Sequence, residues 1–155
     1  MGTQTSTESI AFADTDGGMG LVVRDVDLTE IPSEEVVDLY KRKLAEYGVL
    51  VFRDQQLSEE QQIRFTRAFG ETTGHPVSGI GGGSVTDEYD KDIFYLINDP
   101  EKENEVTKRD PGDGTLGWHT DLEYMPEPQV YSVLYGLEIP SQGGETEWCD
   151  LTTAY

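Results

Sequence analysis

Four consecutive apolar residues, Val49-Leu50-Val51-Phe52, stand between two stretches whose apolar positions recur with the period of a helix. A run this short, bounded by Gly48 and by Arg53-Asp54, reads as a buried strand between two helices. The first helix opens at Pro32-Ser33 and carries Val36, Val37, Tyr40 and Leu44 on one face. Gly48 then stands where a helix C′ glycine belongs. The second begins at Ser58, whose spacing from Gln61 is that of a capping box. It turns Ile63, Phe65, Ala68 and Phe69 toward the core and ends at Gly70.

The flanks are read the same way. Residues 1–18 are polar and predict a flexible N-terminal arm. Gly20 to Leu28 predicts a short strand, and Gly79 to Ser84 a flexible link. Strands are expected over Ile93–Ile97, over Val130–Leu137 and from Thr146 to Cys149, with a turn at Pro140–Gly144. Residues 98–117 form a long polar loop, a length that in a compact domain is usually functional or mobile. Asp150 looks like the N-cap of a further helix. About five strands and a helix just begun cannot close a sandwich or barrel. The expectation is that residues 19–155 are the first part of a larger domain, truncated at residue 155.

Charge and composition remove several functions. With 31 acidic and 11 basic side chains the net charge is −20, which repels nucleic-acid phosphates. The acids are scattered (Asp14, Asp25, Glu34, Glu60, Asp87, Asp113, Glu138) rather than gathered in a tail. That pattern fits a solvated acidic surface, as in salt-adapted proteins. No apolar run approaches the roughly 18 residues of a membrane span. The first twenty residues show neither a basic n-region nor an apolar h-region, so a cytoplasmic location is expected. A single cysteine, Cys149, excludes an internal disulfide and any multi-cysteine zinc site. Following Trp148, it reads as an inert core thiol, and Trp118 and Trp148 read as packing residues.

The densest polar group is Trp118-His119-Thr120-Asp121. On an extended strand, residues i and i+2 point to one face, so His119 and Asp121 could share a ligand. One imidazole and one carboxylate make two-thirds of the 2-His-1-carboxylate facial triad of non-haem Fe(II) oxygenases, which leaves coordination positions open.

The segment GWHTDLEYMPEPQVYSVLYGLEIPSQGGETEW resembles the core of the taurine dioxygenase (TauD/TfdA) family of Fe(II)- and 2-oxoglutarate-dependent oxygenases. The matching parts are Trp118-His119-Thr120-Asp121, Pro126/Pro128, the Val130–Leu137 strand, the P-x-x-G-G-x-T turn from Pro140 to Thr146, and Trp148. Upstream, GVLVFRDQQLSEEQQIRFTRAFGETTGHP (Gly48–Pro76) resembles the family's strand, helix and G-x-x-x-x-H-P pattern.

The resemblance implies a fold and a set of roles. The fold would be α+β, mainly β: a double-stranded β-helix (jelly-roll, cupin-like) with flanking helices. His119 and Asp121 would be the first two iron ligands, and Thr146 would hydrogen-bond a carboxylate of 2-oxoglutarate. His75 would help bind a substrate anion, with Asn98, Thr115 and Tyr95 as further pocket candidates. Thr115 stands near a pocket asparagine of the taurine-using members, a departure that argues against taurine. The loop 98–117 would gate the site. The co-substrates would be 2-oxoglutarate and O2, and the substrate a small anion bearing sulfonate, carboxylate, sulfate or phosphonate. Self-association is expected of the full-length protein. The family's second ligand histidine and its co-substrate arginine come late in the sequence, whereas the histidines here are His75 and His119. The 155 residues alone are therefore expected to be inactive. The alternative is a truncated fragment that retains a partial metal site.

Overall fold

The computed structural model describes residues 6–72, 93, 118–123 and 125–155. They divide into two compact units, Met1–Gly70 with Glu145–Tyr155, and Glu71–Gly144. The first unit holds all the regular secondary structure among the described residues: β1 (Ala11–Asp14), β2 (Leu21–Arg24), α1 (Glu34–Tyr47), β3 (Leu50–Phe52), α2 (Glu59–Phe69) and the short α3 (Leu151–Ala154), with a 3-10 turn at Thr7–Ser9.

The sheet order is β1-β2-β3. β1 and β2 pair antiparallel, with Ala11 opposite Arg24. β2 and β3 pair parallel, with Leu21 opposite Leu50. A parallel pair cannot be joined by a tight turn, and α1 is the crossover that joins this one. Helix α1 starts where Ser33 Oγ accepts from the Val36 N–H at 3.4 Å, with Glu34 and Glu35 at the positive end of the helix dipole. It stops at Gly48, whose φ of 77° is the left-handed conformation of a helix end. The Gly48 N–H donates to Leu44 O at 2.8 Å. The predicted capping box of α2 is present: Ser58 Oγ accepts from Gln61 N–H at 3.3 Å, and Gln61 Oε1 from Ser58 N–H at 2.8 Å.

The core joins Ile10, Val23, Leu28, Val36, Tyr40 and Phe65. Tyr40 of α1 meets Phe52 of β3 edge-on at 5.3 Å and stacks on Phe69 of α2 at 6.4 Å. Phe65 closes the set, edge-on to Phe52 at 5.6 Å and to Phe69 at 5.3 Å. Each such ring contact contributes roughly 0.5–1.5 kcal/mol beyond the area it buries. A polar clamp binds the loops beside this core. Gln55 Oε1 accepts from Leu28 N–H at 3.0 Å, and its Nε2 donates to Val26 O at 3.2 Å and Arg53 O at 2.9 Å. Among the described residues no polar or charged side chain is buried, so the acids that are described lie at the solvent boundary.

Burial pushes the Tyr40 phenol up from 10.0 to about 12. The folded chain keeps this proton where the unfolded chain has lost it. Tyr40 therefore contributes stability in full below pH ~10 that is lost as the pH rises toward ~12, at roughly 1.4 kcal/mol per pH unit. Urea unfolding at pH 9 and pH 11 checks this. Tyr40→Phe is expected to unfold with a shallower alkaline dependence than wild type, and equal slopes would contradict it.

Several expectations are corrected. Residues 11–14, assigned to a flexible arm, form β1, which pairs with β2 while Ile10 and Phe12 pack at the core. Leu50, Val51 and Phe52 are half-buried rather than buried, since β3 is an edge strand of the described sheet. Val130–Leu137 and Thr146–Cys149 are not strands, and Val130, Leu134 and Leu137 are 81%, 62% and 67% exposed. An apolar run becomes a strand only where another strand takes up its backbone groups, and among the described strands none pairs with these. Trp118 and Trp148 are exposed, and Cys149 is an exposed thiol rather than a core one. Asp150 does cap α3, accepting from the Thr152 and Thr153 N–H groups at 2.9 and 3.2 Å. The mixed α and β character expected of the chain is present among the described residues, as a small sheet with helices. Gly79–Ser84, the strand Ile93–Ile97 apart from Ile93, and the loop 98–117 lie outside the described residues.

Candidate metal centre

His119 and Asp121 belong to the second unit. They are not on a strand. Residues 120–123 make a turn in which Glu123 N–H donates to Thr120 O at 3.2 Å, followed by Met125 N–H to Leu122 O at 2.9 Å. Leu122, directly after Asp121, has φ 53°. A left-handed conformation in a bulky residue costs on the order of 1–2 kcal/mol and marks a sharply imposed change of direction. The turn nevertheless brings the two side chains together. His119 Nε2 lies 3.3 Å from Asp121 Oδ1, and both side chains are half-exposed, at 47% and 50%.

The other carboxylate oxygen is engaged from further along the chain. Asp121 Oδ2 accepts from Ser132 Oγ at 2.7 Å, and Ser132 Oγ accepts from Gln129 Nε2 at 3.0 Å. Neither Ser132 nor Gln129 was signalled by the sequence, because nothing in a spacing of eleven residues predicts contact across an irregular turn.

Two donors held at about 2.1 Å by one ion, at right angles, stand about 3.0 Å apart. The observed 3.3 Å between imidazole nitrogen and carboxylate oxygen is close to that span. The donor types are those that borderline divalent metals such as Fe(II) accept. The pair thus fits two positions of a metal site. Among the described residues no group of three His, Cys, Asp or Glu side chains comes together. Thr146 lies in the first unit, exposed and in irregular backbone. His75, Tyr95, Asn98 and Thr115 lie outside the described residues.

The family described as taurine catabolism dioxygenase TauD, TfdA family matches residues 11–155. The chain belongs to the TauD/TfdA family. Among TauD/TfdA relatives, it is 35% identical over 147 residues to the (S)-phenoxypropionate/alpha-ketoglutarate-dioxygenase of Sphingobium herbicidovorans, covering 93% of this chain and 46% of that protein. It is 33% identical over 138 residues to the alpha-ketoglutarate-dependent 2,4-dichlorophenoxyacetate dioxygenase of Cupriavidus pinatubonensis, covering 86% and 47%. The crystal structure of a taurine dioxygenase from Burkholderia xenovorans is similar at 36% identity over 46% of this chain and 26% of that one, with a TM-score of 0.41. The chain spans about half the length of the curated relatives it matches.

Proposed function

We propose that the protein carrying this chain is an Fe(II)- and 2-oxoglutarate-dependent dioxygenase that oxidises a C–H bond of a small organic anion. One observation carries the reading: an imidazole and a carboxylate from an H-x-D sequence stand 3.3 Å apart in a TauD/TfdA chain. His119 Nε2 and Asp121 Oδ1 would hold the iron. Bound there with 2-oxoglutarate, Fe(II) supplies activation of O2 coupled to loss of CO2 from the co-substrate, which leaves as succinate.

The other residues bind and orient. The Thr146 hydroxyl would donate to a carboxylate of 2-oxoglutarate, a charge-assisted hydrogen bond. His75 would meet the substrate anion, with Asn98 and Thr115 lining its pocket. Family membership supports a double-stranded β-helix as the enclosing fold, and we propose a cytoplasmic protein that self-associates at full length. The names of the two relatives support a carboxylate-bearing aryloxy substrate over taurine.

The test is O2 uptake by the full-length protein that carries this chain, with Fe(II) and 2-oxoglutarate, while anions are added in turn: a phenoxyalkanoate, an alkylsulfonate and an alkyl sulfate. One of them, with the phenoxyalkanoate foremost, is expected to raise uptake, with succinate formed in step with O2 consumed. If none raises it, the reading fails. A second reading is a truncated, catalytically inactive polypeptide that retains a partial metal site. Metal binding without succinate formation would distinguish it.

A further inference from the structure

We propose that Ser132 is a positioning residue for the Asp121 carboxylate, a role that rests on His119 and Asp121 being metal ligands. The two oxygens of Asp121 have different neighbours. Oδ1 faces His119 Nε2 at 3.3 Å, and Oδ2 accepts from Ser132 Oγ at 2.7 Å. A hydroxyl has a single hydrogen, and its oxygen can also accept. Gln129 Nε2, which can only donate, lies 3.0 Å from Ser132 Oγ. The serine oxygen therefore accepts from Gln129 and its one hydrogen goes to Asp121. The relay runs in one direction, from amide to hydroxyl to carboxylate.

This direction has a consequence at the metal. A half-exposed carboxylate would otherwise rotate among several orientations and could offer both oxygens to one ion. With Oδ2 held by Ser132, Oδ1 is the oxygen presented on the histidine side. Attachment through one oxygen leaves free a coordination position that chelation through both would fill, and open positions are what co-substrate and O2 require. Partners of this kind outside the ligand set typically change metal affinity 10–100-fold.

The test uses Mn(II) as probe and the imidazole C–H resonances of the two histidines, read by NMR, because paramagnetic broadening detects weak binding without turnover. The His119 signal is assigned from His119→Ala. Ser132→Ala is expected to need roughly ten-fold more Mn(II) than wild type to broaden the His119 signal. Ser132→Thr, which keeps the hydroxyl, is expected to follow wild type, with thermal unfolding midpoints unchanged in both. The proposal is overturned if Ser132→Ala tracks wild type, or if Ser132→Thr falls with it. Asp121→Ala separates the two levels. If it weakens Mn(II) binding while Ser132→Ala does not, ligation stands and the positioning role alone fails. If it broadens like wild type, ligation fails and the positioning role goes with it.

Discussion

In the full-length protein that carries this chain, replacing His119 by alanine is expected to lower 2-oxoglutarate-dependent O2 uptake by more than about 100-fold. Partners that merely orient a ligand are worth roughly 10–100-fold in affinity or activity, so loss of a ligand should exceed that range. Asp121→Asn tests the same site through charge: it keeps the shape and removes the anion that faces His119 at 3.3 Å. Neither change should affect folding of the first unit, whose core is built from Ile10, Val23, Leu28, Val36, Tyr40 and Phe65. Oxygen-electrode rates beside far-UV circular dichroism separate lost chemistry from lost structure. Activity within a few-fold of wild type in both variants would remove the pair from the reaction.

The largest stability effect is expected at Phe65. This ring is 5% exposed and touches both Phe52 and Phe69 edge-on, so truncation removes contacts on two sides and leaves a cavity. Phe65→Ala should cost about 3–5 kcal/mol, a large share of the roughly 5–15 kcal/mol that holds an ordinary domain. Leu134→Ser, at a position 62% exposed, should stay within about 0.5 kcal/mol of wild type. Urea unfolding of the two variants gives the contrast directly. A Phe65→Ala loss below about 1 kcal/mol would mean that the four-ring cluster does not hold α1, α2 and β3 together.

The elements most legible in the sequence are those whose signals are local. Ser33, Gly48, and the Ser58/Gln61 pair each satisfy helix-end groups within a few residues, so α1 and α2 are found with their ends nearly correct. β1 is illegible for the opposite reason. Its short apolar run, Ile10-Ala11-Phe12-Ala13, stands in an otherwise polar stretch, and its order comes from pairing with β2. The same dependence on a partner misleads at Val130–Leu137, where a largely apolar run invites a strand but the described residues provide no strand beside it. At the site, the H-x-D spacing is legible but the backbone that joins the pair is not. A turn with Leu122 at φ 53°, rather than a strand, brings His119 and Asp121 together. Ser132 and Gln129 had no signal, since their part depends on that turn.

The most direct test of iron ligation by this pair is anaerobic equilibrium dialysis of Fe(II), with and without 2-oxoglutarate, against wild type, His119→Ala and Asp121→Ala. An acidic surface of net charge −20 attracts cations without specificity, so the informative quantity is the additional Fe(II) retained when 2-oxoglutarate is present. The full-length wild type is expected to retain that increment, and each variant made in it to lose the increment. Equal retention by all three proteins would contradict the assignment of His119 and Asp121 as the iron ligands.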